Sequence, residues 1–249
     1  MDLILFSGQS NMIGQTGVLP ENDQPVKGVW EYRYTEDSMV PLRHPVGERI
    51  GEHLDAAWEG HGSLIPDCCR TYAVLTGHET AAVPVAKDST RIERWLPDTE
   101  RYQVMIQKIS AAKKAAGQVG HIYFVWLQGE SNALAGTSRK SYLSSLITLK
   151  EALKKDAQIE KFGIIRVGYF SENYGMHGRD ERIMRAQEDA VKTDDDFVML
   201  TRASAELSRS KPYLNPQAPG HYNNAGMTVL GTLAGAALAQ LTERADESN

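Results

Sequence analysis

Cysteine is nearly absent from this chain: its 249 residues include two, Cys68 and Cys69, and they are neighbours. A disulfide between adjacent residues is strained, so reduced, buried thiols on a helix are expected rather than a disulfide framework or a thiolate metal cluster. A basic excess is lacking as well. Lys and Arg number 27 against 32 Asp and Glu, a formal net charge of -5. That balance offers no concentrated positive surface for nucleic acid or an anionic membrane, and suits neutral or small substrates. No stretch approaches the roughly 18 apolar residues of a membrane span. Near its start the chain has only Leu3 to Phe6 as an apolar run, preceded by Asp2. A secretory signal needs a basic start and about 7–15 apolar residues, so the cytoplasm is the expected location. The histidines show no paired ligand spacing such as His-Glu-x-x-His, and the turns lack Gly-x-Gly-x-x-Gly and the P-loop ending. Neither a metal nor a cofactor is expected.

What the chain does have is an alternation of short apolar runs with longer amphipathic segments, the pattern of a sheet with crossover helices. Strands are predicted over 2–6, 81–85, 121–127, 163–170 and 197–201, and helices over 64–76, 99–117, 138–157, 179–193 and 225–241. With 41% hydrophobic residues, one core and one α/β domain over 1–249 are expected. The pattern breaks around 15–62. There, 29–34 and 39–42 read as a hairpin outside the main sheet, and 44–62 as an irregular connection that either shapes a pocket or is a surface excursion.

The densest chemical signal is Leu3-Ile4-Leu5-Phe6-Ser7-Gly8-Gln9-Ser10-Asn11-Met12. A buried strand delivers Ser10 into a turn, and ligands of open α/β sheets collect just past such strand ends. A serine hydroxyl needs a base and oxyanion donors to act as a nucleophile. Two later segments supply candidates: Gln128-Gly129-Glu130-Ser131-Asn132 at the end of another apolar strand, and Pro219-Gly220-His221-Tyr222 just ahead of the last helical pattern. Asn11 and Asn132 either bind substrate hydroxyls or fix their turns, and Gln9 is a further candidate substrate contact. Trp95 either walls a sugar site or packs in the core.

Gly8-Gln9-Ser10-Asn11-Met12, Val83 to Ile92, Gln128-Gly129-Glu130-Ser131 and a late His221 together resemble the ordered blocks of the SGNH hydrolases, in the sialate O-acetylesterase and acetylxylan esterase branch. The resemblance runs from Leu3 to about Gly226. It implies a three-layer α/β/α, flavodoxin-like parallel sheet, Ser10 as nucleophile and His221 as base. It also implies an oxyanion hole of the Ser10 N–H, a second-block N–H from Asp88 or Ser89, and the Gln128 amide. Many relatives carry an aspartate three residues before the histidine, and here that position is Ala218. Glu130 is then the expected third member, with a backbone carbonyl holding His221 as the alternative. The implied activity is removal of acetyl groups from sugar hydroxyls, with an acetylated sugar or oligosaccharide as partner and no nucleic acid or membrane. The competing readings are a non-catalytic carbohydrate-binding relative and an esterase or thioesterase on a non-sugar acyl group. Oligomeric state is left open.

Overall fold

A computed structural model describes residues 1–21 and 23–247. Its seven strands are β1 (Asp2–Gly8), β2 (Val29–Arg33), β3 (Ser38–Pro41), β4 (Thr80–Pro84), β5 (Ile122–Leu127), β6 (Lys161–Ile165) and β7 (Phe197–Thr201). They form one sheet in the order β3-β2-β4-β1-β5-β6-β7. Every pairing is parallel except β2 with β3. The stretch β4-β1-β5-β6-β7 follows the flavodoxin-like order, in which ligands gather where strand order reverses, beside the first strand. The helices are α1 (Ser10–Ile13), α2 (Ile65–Thr76), α3 (Glu100–Ala116), α4 (Glu130–Leu134), α5 (Arg139–Asp156), α6 (Arg179–Thr193), α7 (Ser204–Leu207) and α8 (Asn224–Asp246).

The layers follow from side-chain alternation along the strands. In β5, Tyr123 points toward α2 and α8, where its hydroxyl meets Thr242 at 3.0 Å. Trp126 points the other way, and its indole N–H donates to Tyr142 of α5. One layer is α2 packed on α8, the other α5 packed on α6, with α3 tied to α5 by Tyr102 donating to Asp156. Both faces of the sheet are covered, so β1 and β5 are buried along their whole length and contain continuous apolar runs.

Three expectations need correction. The segment 29–42 is not outside the sheet: β2 pairs parallel with β4, and the hairpin forms one sheet edge. A charged residue at an inward position hid this. Glu31 is fully buried, accepting from Gly47 N–H and paired with Arg33. Burial raises its carboxyl to about 7, against the opposing pull of Arg33 and Lys108. Beside it, buried Lys108 of α3 pairs with Glu48 at 2.8 Å. Second, the strand expected over 163–170 ends at Ile165, because the next N–H but one, that of Val167, is taken by the Gln187 side chain rather than by a neighbouring strand. Third, α8 runs past Leu241 to Asp246 and by length and composition is apolar enough to cross a membrane, although half of its most apolar window is buried in the fold.

The α2–α8 contact is close because α8 carries Gly231 and Gly235 one turn apart. A β-carbon there would stand 2.4 Å from the Leu64 carbonyl oxygen and 2.3 Å from that of Cys68. Cys68 lies in this seam and Cys69 near Glu31 on the sheet side, both free and fully buried, and burial pushes their thiols well up. Gly235→Ala must therefore push the helices apart, an overpacking cost of about 1–3 kcal/mol. At roughly 2–4 °C per kcal/mol for a chain of this size, thermal unfolding followed by circular dichroism should show a Tm lowered by several degrees.

Candidate active site

The site is built where β1 and β5 end side by side. Gly8 and Leu127 are register partners, and a β-carbon on Gly8 would lie 2.0 Å from the Leu127 carbonyl oxygen. Only glycine allows this approach, and Gly8 also has a φ of 145°. The chain then turns into α1, whose first residue is Ser10. The N–H groups of a first helical turn have no intrahelical partner, so the Ser10 N–H is free of the helix ladder. At 211 residues' remove, a turn closed by His221 N–H donating to the Ala218 carbonyl brings His221 over α1. Ser10 Oγ and His221 Nε2 are 2.8 Å apart and both residues are buried. The edge of Phe170 closes the histidine from one side, 5.4 Å between ring centroids at 86°. Burial lowers the His221 pKa below the usual 6.5, while the carbonyls of Ala218 and Pro219 and the charge of Asp88 partly oppose this.

Asn11 joins the separate segments. Its Nδ2 donates to Glu130 Oε1 at 2.9 Å and to the Gly220 carbonyl at 3.3 Å, and its Oδ1 accepts from Tyr222 N–H. With both ends of its amide committed to these partners, it fixes its neighbours rather than contacting substrate. Glu130, at the start of α4, makes no hydrogen bond to His221. Its Oε2 and the Nδ1 of His221, the two atoms that such a bond would join, have no hydrogen-bond partner among the described residues. Burial raises the Glu130 carboxyl, Asn11 opposes the rise, and Asp180 adds to it.

Of four further residues, Gln128 and Asp88 have their N–H groups committed elsewhere, and Asn132 and Trp95 take the structural one of the two roles open to each. Gln128 Nε2 donates to the Thr90 carbonyl and to Asn132 Oδ1, each at 2.8 Å, and its Oε1 accepts from Tyr142. An amide has only two N–H hydrogens, so none is left for an oxyanion. Asn132 is fully buried, accepting from Ile92 N–H at 2.8 Å and donating to Glu93 and Thr137. Trp95 is also fully buried, perpendicular to Trp126, with its indole N–H on Thr90 Oγ1. It is a core post for the second block, not a wall for a sugar. Asp88 N–H is committed to Asp55 Oδ2 at 3.1 Å. Ser89, exposed and at a left-handed φ of 54°, keeps its N–H free among the described residues. Gln9 accepts from Ser131 N–H through Oε1 at 3.2 Å, and its Nε2 donates to no described residue.

Sequence reasoning passed over Asp55 and Trp58, both in the irregular connection. Asp55 braces the second block by taking Lys87 Nζ at 2.8 Å as well as the Asp88 N–H. Trp58, 48% exposed, lines a cleft of about 750 Å³ with Arg49, Asp55, Lys87, Asp88 and Ser89. The connection therefore shapes a pocket wall next to the second block. A lone tryptophan between Ala and Glu carries no periodicity, so only its exposure marks it.

The fold and this arrangement of blocks are those of the SGNH hydrolases, and the comparisons narrow the class. Residues 1–238 match the family described as carbohydrate esterase, sialic acid-specific acetylesterase, and the chain belongs to that family. A probable carbohydrate esterase of Arabidopsis thaliana is 23% identical over 187 residues, covering 68% of this chain and 69% of its own. The crystal structure of an Arabidopsis thaliana protein superimposes with a TM-score of 0.73 at 20% identity, covering 96% of this chain and 98% of its own. NanS gives 0.69 at 16% identity, covering 97% and 98%. A carbohydrate acetylesterase of Xanthomonas citri gives 0.60 at 13%, covering 95% of this chain and 55% of its own.

A carboxyl raised by burial favours its protonated form in the fold, so its contribution to stability is fullest below the unfolded pKa and is lost as pH rises through the folded one. Glu130→Gln, which keeps the acceptor for Asn11 without the charge, should melt higher than the parent at pH 8. Melting curves across pH should show the difference shrinking as pH falls from 8 and gone below 4.5, the ordinary glutamate value.

Proposed function

We propose that this chain is a serine carbohydrate O-acetylesterase with Ser10 as nucleophile and His221 as base. The carrying observation is the 2.8 Å contact between Ser10 Oγ and His221 Nε2 at the strand ends of a carbohydrate esterase family member. With its pKa below 6.5, the imidazole is neutral near pH 7 and able to accept a proton. Ser10 Oγ bonds to the acetyl carbon as its proton passes to His221 Nε2. The resulting oxyanion is held by the N–H groups of Ser10 and Ser89, with Gln9 Nε2 as a side-chain donor. Collapse expels the sugar oxygen, which takes the proton from His221. Water then gives a proton to His221, adds to the acetyl-enzyme, and acetate leaves as Ser10 recovers its hydrogen.

The Ala218 and Pro219 carbonyls favour the protonated imidazole, and the His221 N–H on the Ala218 carbonyl holds the residue's backbone in place. A Ser–His pair steadied by backbone thus fits better than a triad completed by Glu130, which acts as a positioning residue through Asn11 and Gly220. In the cleft, Trp58 offers a flat face to a sugar ring. A neighbouring cavity of about 330 Å³ is lined by Lys87, Arg91, Arg94 and Arg101 against one acid, Asp88. This favours a carboxylated sugar such as a sialic acid over a neutral xylo-oligosaccharide. The unpaired Nδ1 of His221 is the feature that favours a non-catalytic sugar-binding protein instead.

Labelling by a fluorophosphonate decides between the two, since only an activated Ser10 reacts readily. Acetate release from O-acetylated sialic acid should fall by about 10⁴-fold or more in Ser10→Ala, and release that persists in that variant would overturn the mechanism. Glu130→Gln should stay within about tenfold of the parent, whereas a loss comparable to that of Ser10→Ala would restore Glu130 as the acid. The acid limb of kcat/KM should lie below pH 6.5. Asp88→Asn removes a charge that favours the imidazolium and should move that limb lower still.

A further inference from the structure

At the opposite end of the same strands, His78, His121 and Asp246 converge although they stand far apart in sequence. His78 precedes β4, His121 precedes β5, and Asp246 is the last residue of α8. Ser10 follows the carboxyl end of β1, and at about 3.3 Å per residue the two places are roughly 20 Å apart. The two imidazoles lie parallel, 6.1 Å between centroids and 7° between planes. His121 Nε2 is 3.1 Å from Asp246 Oδ1, and His78 Nε2 is 3.8 Å from Asp246 Oδ2. One donor atom from each of the three residues falls within 4.8 Å of the others.

The other ring nitrogens are arranged alike. His78 Nδ1 is 2.8 Å from Asp2 Oδ2, and His121 Nδ1 is 2.9 Å from Glu160 Oε2. Asp2 is itself buried and held by the Tyr72 hydroxyl at 2.6 Å and the His121 N–H at 2.9 Å. A carboxylate on Nδ1 fixes the tautomer that leaves Nε2 as a lone-pair donor, the outer-shell pattern of histidine-ligated zinc. Three carboxylates around two imidazoles also leave an excess of negative charge that a divalent cation offsets.

We propose that His78 Nε2, His121 Nε2 and the Asp246 carboxylate form a zinc site that ties the end of α8 to the starts of β4 and β5. Two imidazole nitrogens and one carboxylate oxygen suit Zn²⁺, with a fourth position open to solvent beside half-exposed Asp246. Ligand distances of about 2.0–2.2 Å require the three donors to draw together slightly from their present spacing, a movement open to an exposed aspartate in the last turn of a helix.

The test is titration of the chelator-treated full chain with Zn²⁺ by calorimetry, in the parent, His78→Gln, Asp246→Asn and His221→Ala. One equivalent with a Kd in the micromolar range or tighter, weakened tenfold to a hundredfold or more in His78→Gln and Asp246→Asn but kept in His221→Ala, is the expected result. Asp246 is exposed, so Asp246→Asn folds even if His78→Gln does not. Its melting temperature should no longer rise with added Zn²⁺, while that of the parent rises by several degrees. Absence of stoichiometric binding in the parent, equal binding in Asp246→Asn, or loss of the equivalent in His221→Ala would each overturn the proposal.

Discussion

The side chain of Asn11 is the constraint on which the active-site arrangement depends. It is a buried amide whose two ends touch two segments distant in sequence: Glu130 after β5, and Gly220 and Tyr222 around the histidine turn. Ser10 is its neighbour in the chain, so whatever fixes Asn11 fixes the distance between Ser10 and His221. A buried polar network of this kind stabilises only when its members are satisfied. Here each of the three contacts is a hydrogen bond whose loss leaves a buried group without water, at about 1–3 kcal/mol.

A second network stiffens the other wall. Gln128, Asn132, Thr90 and Trp95 are linked from β5 to the second block. In the proposed mechanism the oxyanion donors left over are backbone groups, at Ser10 and Ser89, with Gln9 beside them. Backbone donors carried by a tight turn lose little freedom when a charge develops opposite them, which is the physical advantage of preorganised sites. The side chains that first suggest themselves as donors instead hold those turns still.

The sequence made β1, β4, β5, β7 and the long helices legible, because period and burial speak through residue type. Ser10 and His221 were legible through their blocks. The hairpin was misread because Glu31 occupies an inward position that an apolar residue usually fills, its charge compensated by partners that only the folded chain brings near. The short helices α1, α4 and α7 have too few residues to show a period. The commitments of Gln128, Asn132 and Trp95 were invisible for a different reason: whether a donor is free depends on its neighbours in space, and residue type does not encode them. The same applies to His78 and His121, since spacing rules for metal ligands detect pairs on one helix and miss pairs assembled by strands on either side of a third.

The 211-residue separation between Ser10 and His221 also has a consequence for synthesis. A ribosome adding about 5–20 residues per second needs on the order of 10–40 s to make the intervening chain. β1 gains its flanks β4 and β5 before that interval ends, and on the proposed mechanism the serine still has no base. If Ser10 acts as proposed, the nascent polypeptide carries an inert hydroxyl until the turn ahead of α8 emerges, and reactivity arrives only as the final helix docks.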